Sequence, residues 1–342
     1  METLTLAELL EELKENPAGA EDAIAVQLAA IRPGRTAAGK PFFDLEVADA
    51  THKAKLKIWS DSPAYEFLQR AKEGELCELE GKFYTNDYGL NVNQPGLIRL
   101  SESEAEVFLA GPAERRGKLE EDWALFQDTF QNLADARLKA VACLALEQYE
   151  KKWKRAAAAR SYHHARRGGL LEHTAQMLRC ARALAPLYTE VTPDLLYCGV
   201  LFHDVGKLWE NDYPERGFTT QPTRKGELIG HITIGVEVVN KLWHEAAQKD
   251  PETFAATVSP APDLVRDHLL HLIVSHHGEL EFGSPVVPKT PEGWLLHHID
   301  NIDAKIEMLR GAYADQGEVV PGLVEAKRPL GGLLALPLRG PR

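Results

Sequence analysis

The 342-residue chain has little cysteine, no excess of positive charge and no long apolar run. A membrane-spanning helix needs about 20 consecutive apolar residues, so no span is predicted and no membrane partner is expected. The four cysteines, Cys77, Cys143, Cys180 and Cys198, form no C-x-x-C pair. That spacing removes zinc ribbons, dithiol redox motifs and a disulfide framework, and leaves buried free thiols. Lys and Arg total 39 against 51 Asp and Glu, a net charge of −12. Any grip on nucleic acid must therefore come from local basic patches. No G-x-S-x-G elbow is present, so a Ser/His/Asp triad is unsupported, and no Walker-type glycine loop appears. The opening stretch METLTLAELLEELKENPAG is acidic and lacks the basic-then-apolar order of a signal peptide; this predicts a cytoplasmic protein. With 44% hydrophobic and 26% charged residues, the composition is that of a soluble globular chain. Its length predicts two domains at roughly 100–200 residues each.

The pattern changes along the chain. Residues 1–19 read as a short acidic helix with Leu6, Leu9, Leu10 and Leu13 on one stripe. Residues 20–100 carry short alternating runs: Ile24, Val26 and Leu28; Phe43, Leu45 and Val47; Leu56 and Ile58; Leu90 and Val92. Turn signals separate them, and a short helix, SPAYEFLQRAKEG, lies between the third and fourth runs. Three strands, a helix and two more strands is the order of a small OB-fold β-barrel. Residues 101–118 read as a polar linker, 119–315 as an all-α domain with helices near 170–186, 193–208, 228–248, 262–277 and 293–313, and 316–342 as a tail. The fold class is thus multi-domain α and β.

In the run HKAKLKIWS, Lys53, Lys55, Lys57 and Trp59 share the parity opposite to Leu56 and Ile58. Lysines with an aromatic on one outer face suit single-stranded nucleic acid, where ammonium groups meet phosphates and rings stack on bases. Phe42, Tyr84 and Tyr88 add candidate stacking surface. A lysine-rich solvated strand with a tryptophan capping the barrel is an equally weighted reading.

The helical half holds four separate polar clusters on apolar stripes: His173, His203-Asp204, His231 and His276-His277. The carboxylate Asp300 follows. One buried histidine is ordinarily a hydrogen-bonded core residue, but unpaired polar groups on so many apolar faces are costly. Coordination satisfies them together. Imidazole with carboxylate suits divalent Mn, Fe, Co or Zn. Lys207, one turn past His203, reads either as a helix-end lysine or as a phosphate donor. The stretch KKWKRAAAARSYHHARR has seven cationic and no acidic residues, and reads as a phosphate track or a solvated helix face. Within it, His163, His164, Arg166 and Arg167 are candidate substrate contacts. Asp303 reads first as a salt-bridge residue and second as support for a ligand. Ser284 and Pro285 belong to a loop that can shape the substrate entrance.

His173, His203-Asp204 and Asp300 match the H…HD…D signature of HD-domain phosphohydrolases. The ordered strings SYHHARRGGLLEHT, LFHDVGK, GELIGH, SHHGELEFGSPVVPKTPE and HHIDNIDAK resemble the YhaM-type 3′-to-5′ exoribonucleases, which place an OB-fold before an HD domain. GKPFFDLEVADATHKAKLKIWS resembles their barrel, and the likeness covers roughly residues 20–315. The resemblance implies metal ligands at His173, His203, Asp204 and Asp300. It implies that His231 and His276 complete a second metal position bridged by Asp204, with His277 left open. It also implies two divalent ions, foremost Mn²⁺, a phosphate role for Lys207 beside Asp204, and hydroxide attack on single-stranded RNA releasing nucleoside 5′-monophosphates, with DNA left open. Two other readings stand: a phosphohydrolase acting on a small nucleotide or cyclic dinucleotide, and a single-strand-binding protein without catalysis. The first helix and the tail permit a homo-oligomer without demanding one.

Overall fold

The protein is described by a computed structural model for residues 4–86, 89–159, 164, 166–218, 220–315, 318–326 and 330–338. It divides into two compact units, the second beginning at Leu119, with Tyr213–Thr220 belonging to the first by its packing.

Helix α1 (Leu6–Glu15) opens the first unit. A capping box starts it: the Glu8 N–H donates to the Thr5 hydroxyl, and the Thr5 N–H donates to the Glu8 carboxylate at 2.8 Å. Leu6, Leu9 and Leu13 enter the barrel core, while Leu10 packs at its edge. The barrel strands are β1 (Ala20–Arg35), β2 (Pro41–Ala48), β3 (Lys53–Trp59), β4 (Leu76–Asn86) and β5 (Gly89–Arg99), with α2 (Pro63–Leu68) between β3 and β4. They form one antiparallel sheet in the order β3-β2-β1-β4-β5, and β3 comes back against β5. This is the OB-fold arrangement. The 16-residue β1 serves two partners, β4 with its first half and β2 with its second. A register slip between Leu28 and Ala30 bends it from one to the other. The alternating apolar residues expected from the pattern line the core.

Asp49, buried at the β2–β3 turn, ties α1 to the barrel. One carboxylate oxygen accepts the Leu6 N–H at 2.7 Å. The other accepts from the Thr51 N–H (2.7 Å), the Thr51 hydroxyl (2.6 Å) and the His52 N–H (2.7 Å). The stretch expected as a linker is largely helical, with α3 (Glu102–Ala110) and the start of α4 (Ala113–Gln131). Its polar composition hid a second capping box, Ser101 with Glu104, which supplies acceptors for the first orphan N–H groups.

The second unit packs α5 (Ala136–Trp153), α6 (Gly169–Leu184), α7 (Pro193–Phe202), α8 (Lys207–Glu210), α9 (Arg224–Lys249), α10 (Pro262–Ser275) and α11 (Pro291–Asp315). Contacts of α6 with α7 and α11, of α7 with α10, and of α9 with α5 and α10 build its core. The helix expected over 193–208 stops at Phe202, and tight turns carry the chain through His203–Gly206 to α8. Two small β elements were not expected: the hairpin β6 (Asn211–Asp212) with β7 (Gln221–Pro222), and a sheet of β8 (Glu318–Val320), β9 (Leu323–Glu325) and β10 (Leu333–Ala335). Strands of two or three residues are too short for alternation to register. The tail thus carries short strands, with Val324 buried and β9 against α11. Among the described residues no helix is long and apolar enough to cross a membrane.

All four cysteines are free thiols; Cys77 and Cys198 are buried, and burial pushes the Cys77 thiol up to about 12. Both are expected to resist Ellman's reagent in the native protein and to react on unfolding. Replacing Asp49 with Ala removes the acceptor of several charge-assisted bonds, each worth about 1.5–3 kcal/mol. Equilibrium urea denaturation should show a loss of at least about 2 kcal/mol.

Candidate metal centre

Five helices and their ends converge on one cluster, with His231 supplied by α9. His173 projects from α6, His203 caps the end of α7 with Asp204 after it, and His276 caps α10 with His277 after it. Asp300 and Asp303 come from α11. Neighbouring ring centroids lie close: His173–His203 at 5.4 Å, His203–His276 at 5.1 Å, His276–His277 at 4.3 Å and His231–His277 at 5.3 Å.

Each of these five histidines spends Nδ1 on the protein. His203 donates to the Val200 carbonyl (2.8 Å) and His276 to the Ile273 carbonyl (2.7 Å). Both are carbonyls of a last helical turn, which the helix itself leaves without an N–H partner. His277 donates to the Phe282 carbonyl (2.7 Å), His231 to Glu210 (3.1 Å) and His173 to Asp303 (2.7 Å). A carbonyl only accepts, so a neutral His203 or His276 must carry its proton on Nδ1 and leave the Nε2 lone pair bare. Burial, then His203, holds His276 well below the ordinary imidazole range. The Nε2 atoms of His203, His231 and His276 and one oxygen of Asp204 are buried without a hydrogen-bond partner. Buried polar atoms are ordinarily satisfied. Histidines held at one nitrogen and open at the other fit a divalent cation.

Asp204 is the hub. One oxygen lies 2.6 Å from Lys207 Nζ and 3.3 Å from His203 Nε2. The other lies 3.4 Å from His231 Nε2 and 3.7 Å from His276 Nε2. Burial opposes its ionisation, but Lys207, His203 and His231 outweigh it and hold the carboxyl well below its usual range. Asp300 lies 3.3 Å from His173 Nε2. Burial opposes a charge on His173 too, yet Asp300 and Asp303 raise its imidazole to about 9; the pocket favours a cation there. Two trios of ligand atoms, His173/His203/Asp204 and His231/His276/His277, each fall within 4.8 Å. A third trio, His164/His173/Asp303, meets the same distance. There the contacts are hydrogen bonds to the Nδ1 side of His173, so it supports the centre from behind.

Two glycines shape the site, one by space and one by backbone conformation. A Cβ on Gly206 would lie 1.9 Å from the His231 carbonyl oxygen. Gly230, at φ 75°, breaks α9 just before His231, a conformation L side chains rarely adopt. Beside His231 and Lys207 opens a cleft of about 420 Å³, also lined by Glu210 and Gly226.

Several sequence readings change at this point. His164 is buried and donates to Asp303 (3.1 Å) and Glu172 (3.4 Å). Burial opposes its charge, but these carboxylates raise its pKa. It braces Asp303, the structural one of its two readings. Arg166 pairs with Glu172 (2.6 Å) and Glu307 (2.7 Å), so its guanidinium is spent inside the fold. Arg167 is half-buried. The cationic stretch is less open than its sequence suggests: Lys152 lies over the Trp209 ring at 4.2 Å, and Lys154 pairs with Glu150 and Glu120. Asp303 supports His173, its second-ranked reading. Lys207 is buried against Asp204 and is not a free helix-end lysine. Ser284 is buried, donating to the Val274 and Val286 carbonyls, and anchors its loop. His163 and Tyr88 lie outside the described residues. Sequence reading missed Glu210, Glu172 and Glu307; Glu172 adjoins His173, but nothing local marks the other two.

On the barrel, β3 alternates as expected, with Lys53, Lys55, Lys57 and Trp59 outward. Phe42 is buried beneath them instead of offering a free face: its ring lies 5.4 Å from Trp59 and 4.8 Å from Lys57 Nζ. Trp59, 37% exposed, is the open ring of that group, with Lys40 Nζ 5.3 Å from it. Tyr84 is half-buried on β4, opposite Asn91. The lysines are partly compensated, because Asp44 and Glu46 on β2 stand in register with Lys57 and Lys55. A groove of about 340 Å³ runs here, lined by Arg32, Asp44, Lys55, Lys57 and Asn91.

An OB barrel ahead of a helical unit centred on a His-Asp dyad defines an HD-domain protein, and residues 170–305 match the family model described as HD domain. Several relatives are named 3′-5′ exoribonuclease YhaM. The Geobacillus protein is 30% identical over 285 residues, 82% of this chain and 81% of its own length. That of Listeria welshimeri is 31% identical, covering 81% of this chain and 82% of its own length. That of Oceanobacillus iheyensis is 29% identical, covering 81% of each. The chain belongs to the YhaM family. Among solved structures, the second OB-fold domain of replication protein A from Methanococcus maripaludis aligns at 19% identity with a TM-score of 0.21, over 29% of this chain and 96% of that domain; the barrel assignment rests on strand order. The family and its HD domain imply dependence on a divalent metal.

Replacing Asp303 with Asn should weaken metal affinity about 10–100-fold, as loss of such a supporting partner does, with the far-UV circular dichroism unchanged. Gly206→Ala should lower the bound metal measured by mass spectrometry after gel filtration, because the new Cβ pushes the His231 backbone aside.

Proposed function

We propose that the protein is a metal-dependent 3′-to-5′ exonuclease that shortens single-stranded RNA and releases nucleoside 5′-monophosphates. The observation that carries this reading is the convergence of the bare Nε2 atoms of His203, His231 and His276 on Asp204, in a chain whose relatives are named 3′-5′ exoribonucleases. We assign two divalent ions to the centre. His173, His203, Asp204 and Asp300 would hold one, and His231, His276 and His277 together with Asp204 would hold the other. The mixed nitrogen and oxygen donors suit Mn²⁺. Such ions, when bound, lower the pKa of water and offset phosphate charge.

The chain's own residues do the rest. The Nδ1 hydrogen bonds fix the ring orientations, so the ligands need not reorganise during turnover. Asp204 stays ionised because Lys207 lies beside it. The Lys207 ammonium, 2.6 Å from that carboxylate and on the cleft wall, has two further donors for a phosphate oxygen. On the barrel, Trp59 and the lysines of β3 hold the strand by stacking and charge, and the acidic partners on β2 keep that hold weak enough for the strand to advance. RNA is the assigned substrate, and DNA is a comparison to be measured. We assign residues 20–100 to the binding domain and 119–315 to the catalytic one.

The test is a time course on 5′-labelled single-stranded RNA with Mn²⁺, with 3′-blocked RNA, matched DNA and Asp204→Ala alongside. The expected result is a ladder shortening from the 3′ end, stopped by the block, with at least about 10³-fold loss in the variant. Intact RNA in the presence of folded, metal-loaded protein would overturn the proposal. Trp59→Ala should raise KM on long RNA about tenfold, the effect of one lost base stack, and leave a dinucleotide unaffected.

A further inference from the structure

We propose that Phe282 is the positioning residue for the 3′-terminal nucleotide, stacking on its base while the adjoining phosphodiester lies at the metal centre. The inference rests on the exonuclease reading above. Phe282 and Leu280 lie on one 3₁₀ turn, Leu280–Phe282, and are 61% and 65% exposed. The turn is firmly held. The Phe282 N–H donates to the Glu279 carbonyl (3.1 Å), the Gly283 N–H to the Leu280 carbonyl (3.0 Å), and Ser284 is anchored at Val274 and Val286. Gly283, at φ 84°, turns the chain back. A hydrogen-bonded turn thus holds an apolar pair at the surface.

Its position says what binds. The Phe282 carbonyl accepts the Nδ1–H of His277 at 2.7 Å, and the His277 ring lies 5.3 Å from that of His231, which borders the cleft. The residue that offers the exposed ring therefore also orients a candidate ligand through its backbone carbonyl, which ties the turn to the centre. Charge selects the part of the nucleotide that fits. Glu279 and Glu281 flank the ring on this turn and are exposed, so a phosphate is repelled while an uncharged base is not. Every base has a π face, so the contact positions the terminal nucleotide without selecting a sequence.

The experiment compares wild type, Phe282→Ala and Phe282→Tyr, all metal-loaded, on RNA ending in a normal or an abasic 3′ nucleotide. Phe282→Ala should raise KM for normal RNA about tenfold or more with bound metal unchanged, since the His277 acceptor is backbone. Phe282→Tyr should restore it. On abasic RNA wild type and Phe282→Ala should match. On RNA with a non-hydrolysable last linkage, a 3′-terminal 2-aminopurine should be quenched on binding to the metal-loaded wild type, and the quench should vanish in Phe282→Ala. If wild type degrades RNA but Phe282→Ala leaves KM and quenching unchanged, or weakens normal and abasic ends equally, this inference fails and the exonuclease reading stands. A change in sedimentation of Phe282→Ala would instead assign the ring to self-association and overturn the proposal. If wild type leaves RNA intact, both fall together.

Discussion

The centre depends on where five imidazole protons sit. A neutral imidazole has one donor and one acceptor nitrogen, and the protein takes the donor each time. Two of the acceptors, the carbonyls of Val200 and Ile273, are leftovers of helix geometry: α7 and α10 both end on a histidine that bonds back three residues. The same local device thus appears at two unrelated helix ends and turns both Nε2 atoms the same way. The other acceptors, Glu210, Asp303 and the Phe282 carbonyl, come from separate segments. Bare buried nitrogens are costly, and a cation between them removes the cost.

Behind the ligands lies an ionic layer, buried at His164, Glu172 and Asp303 and half-buried at Arg166 and Glu307. His164, Arg166, Glu172, Asp303 and Glu307 pair among themselves. Buried pairs of this kind add little net stability but are costly to break singly, because one charge is then left alone. Their effect is to hold Asp303 against His173, and with it the orientation of one candidate ligand. Positive charge that looks available to a nucleic acid in the linear sequence is consumed in this layer. The barrel shows the same economy in milder form, with Asp44 and Glu46 beside Lys57 and Lys55. In a YhaM-family chain of net charge −12, positive charge on both units is thus compensated locally.

What the sequence by itself determined was whatever leaves a period or a spacing. The barrel's succession of three strands, a helix and two strands followed from alternation and turn residues. The helical half followed from three- and four-residue steps. His173, His203, Asp204, His231, His276 and Asp300 stood out because several polar groups on apolar stripes have one economical explanation. Tertiary structure decided which side chains share an environment, because that depends on residues far apart in the chain. Asp303 meets His173 and His164 across about 130 positions, so neither spacing nor propensity separates a supporting carboxylate from a surface one. Arg166 looked like a phosphate contact until folding placed Glu307 beside it. Phe42 shares the parity of an outward residue, yet Trp59 and Lys57 close over it. Periodicity reports which face a residue takes; only the packed chain decides what waits on that face.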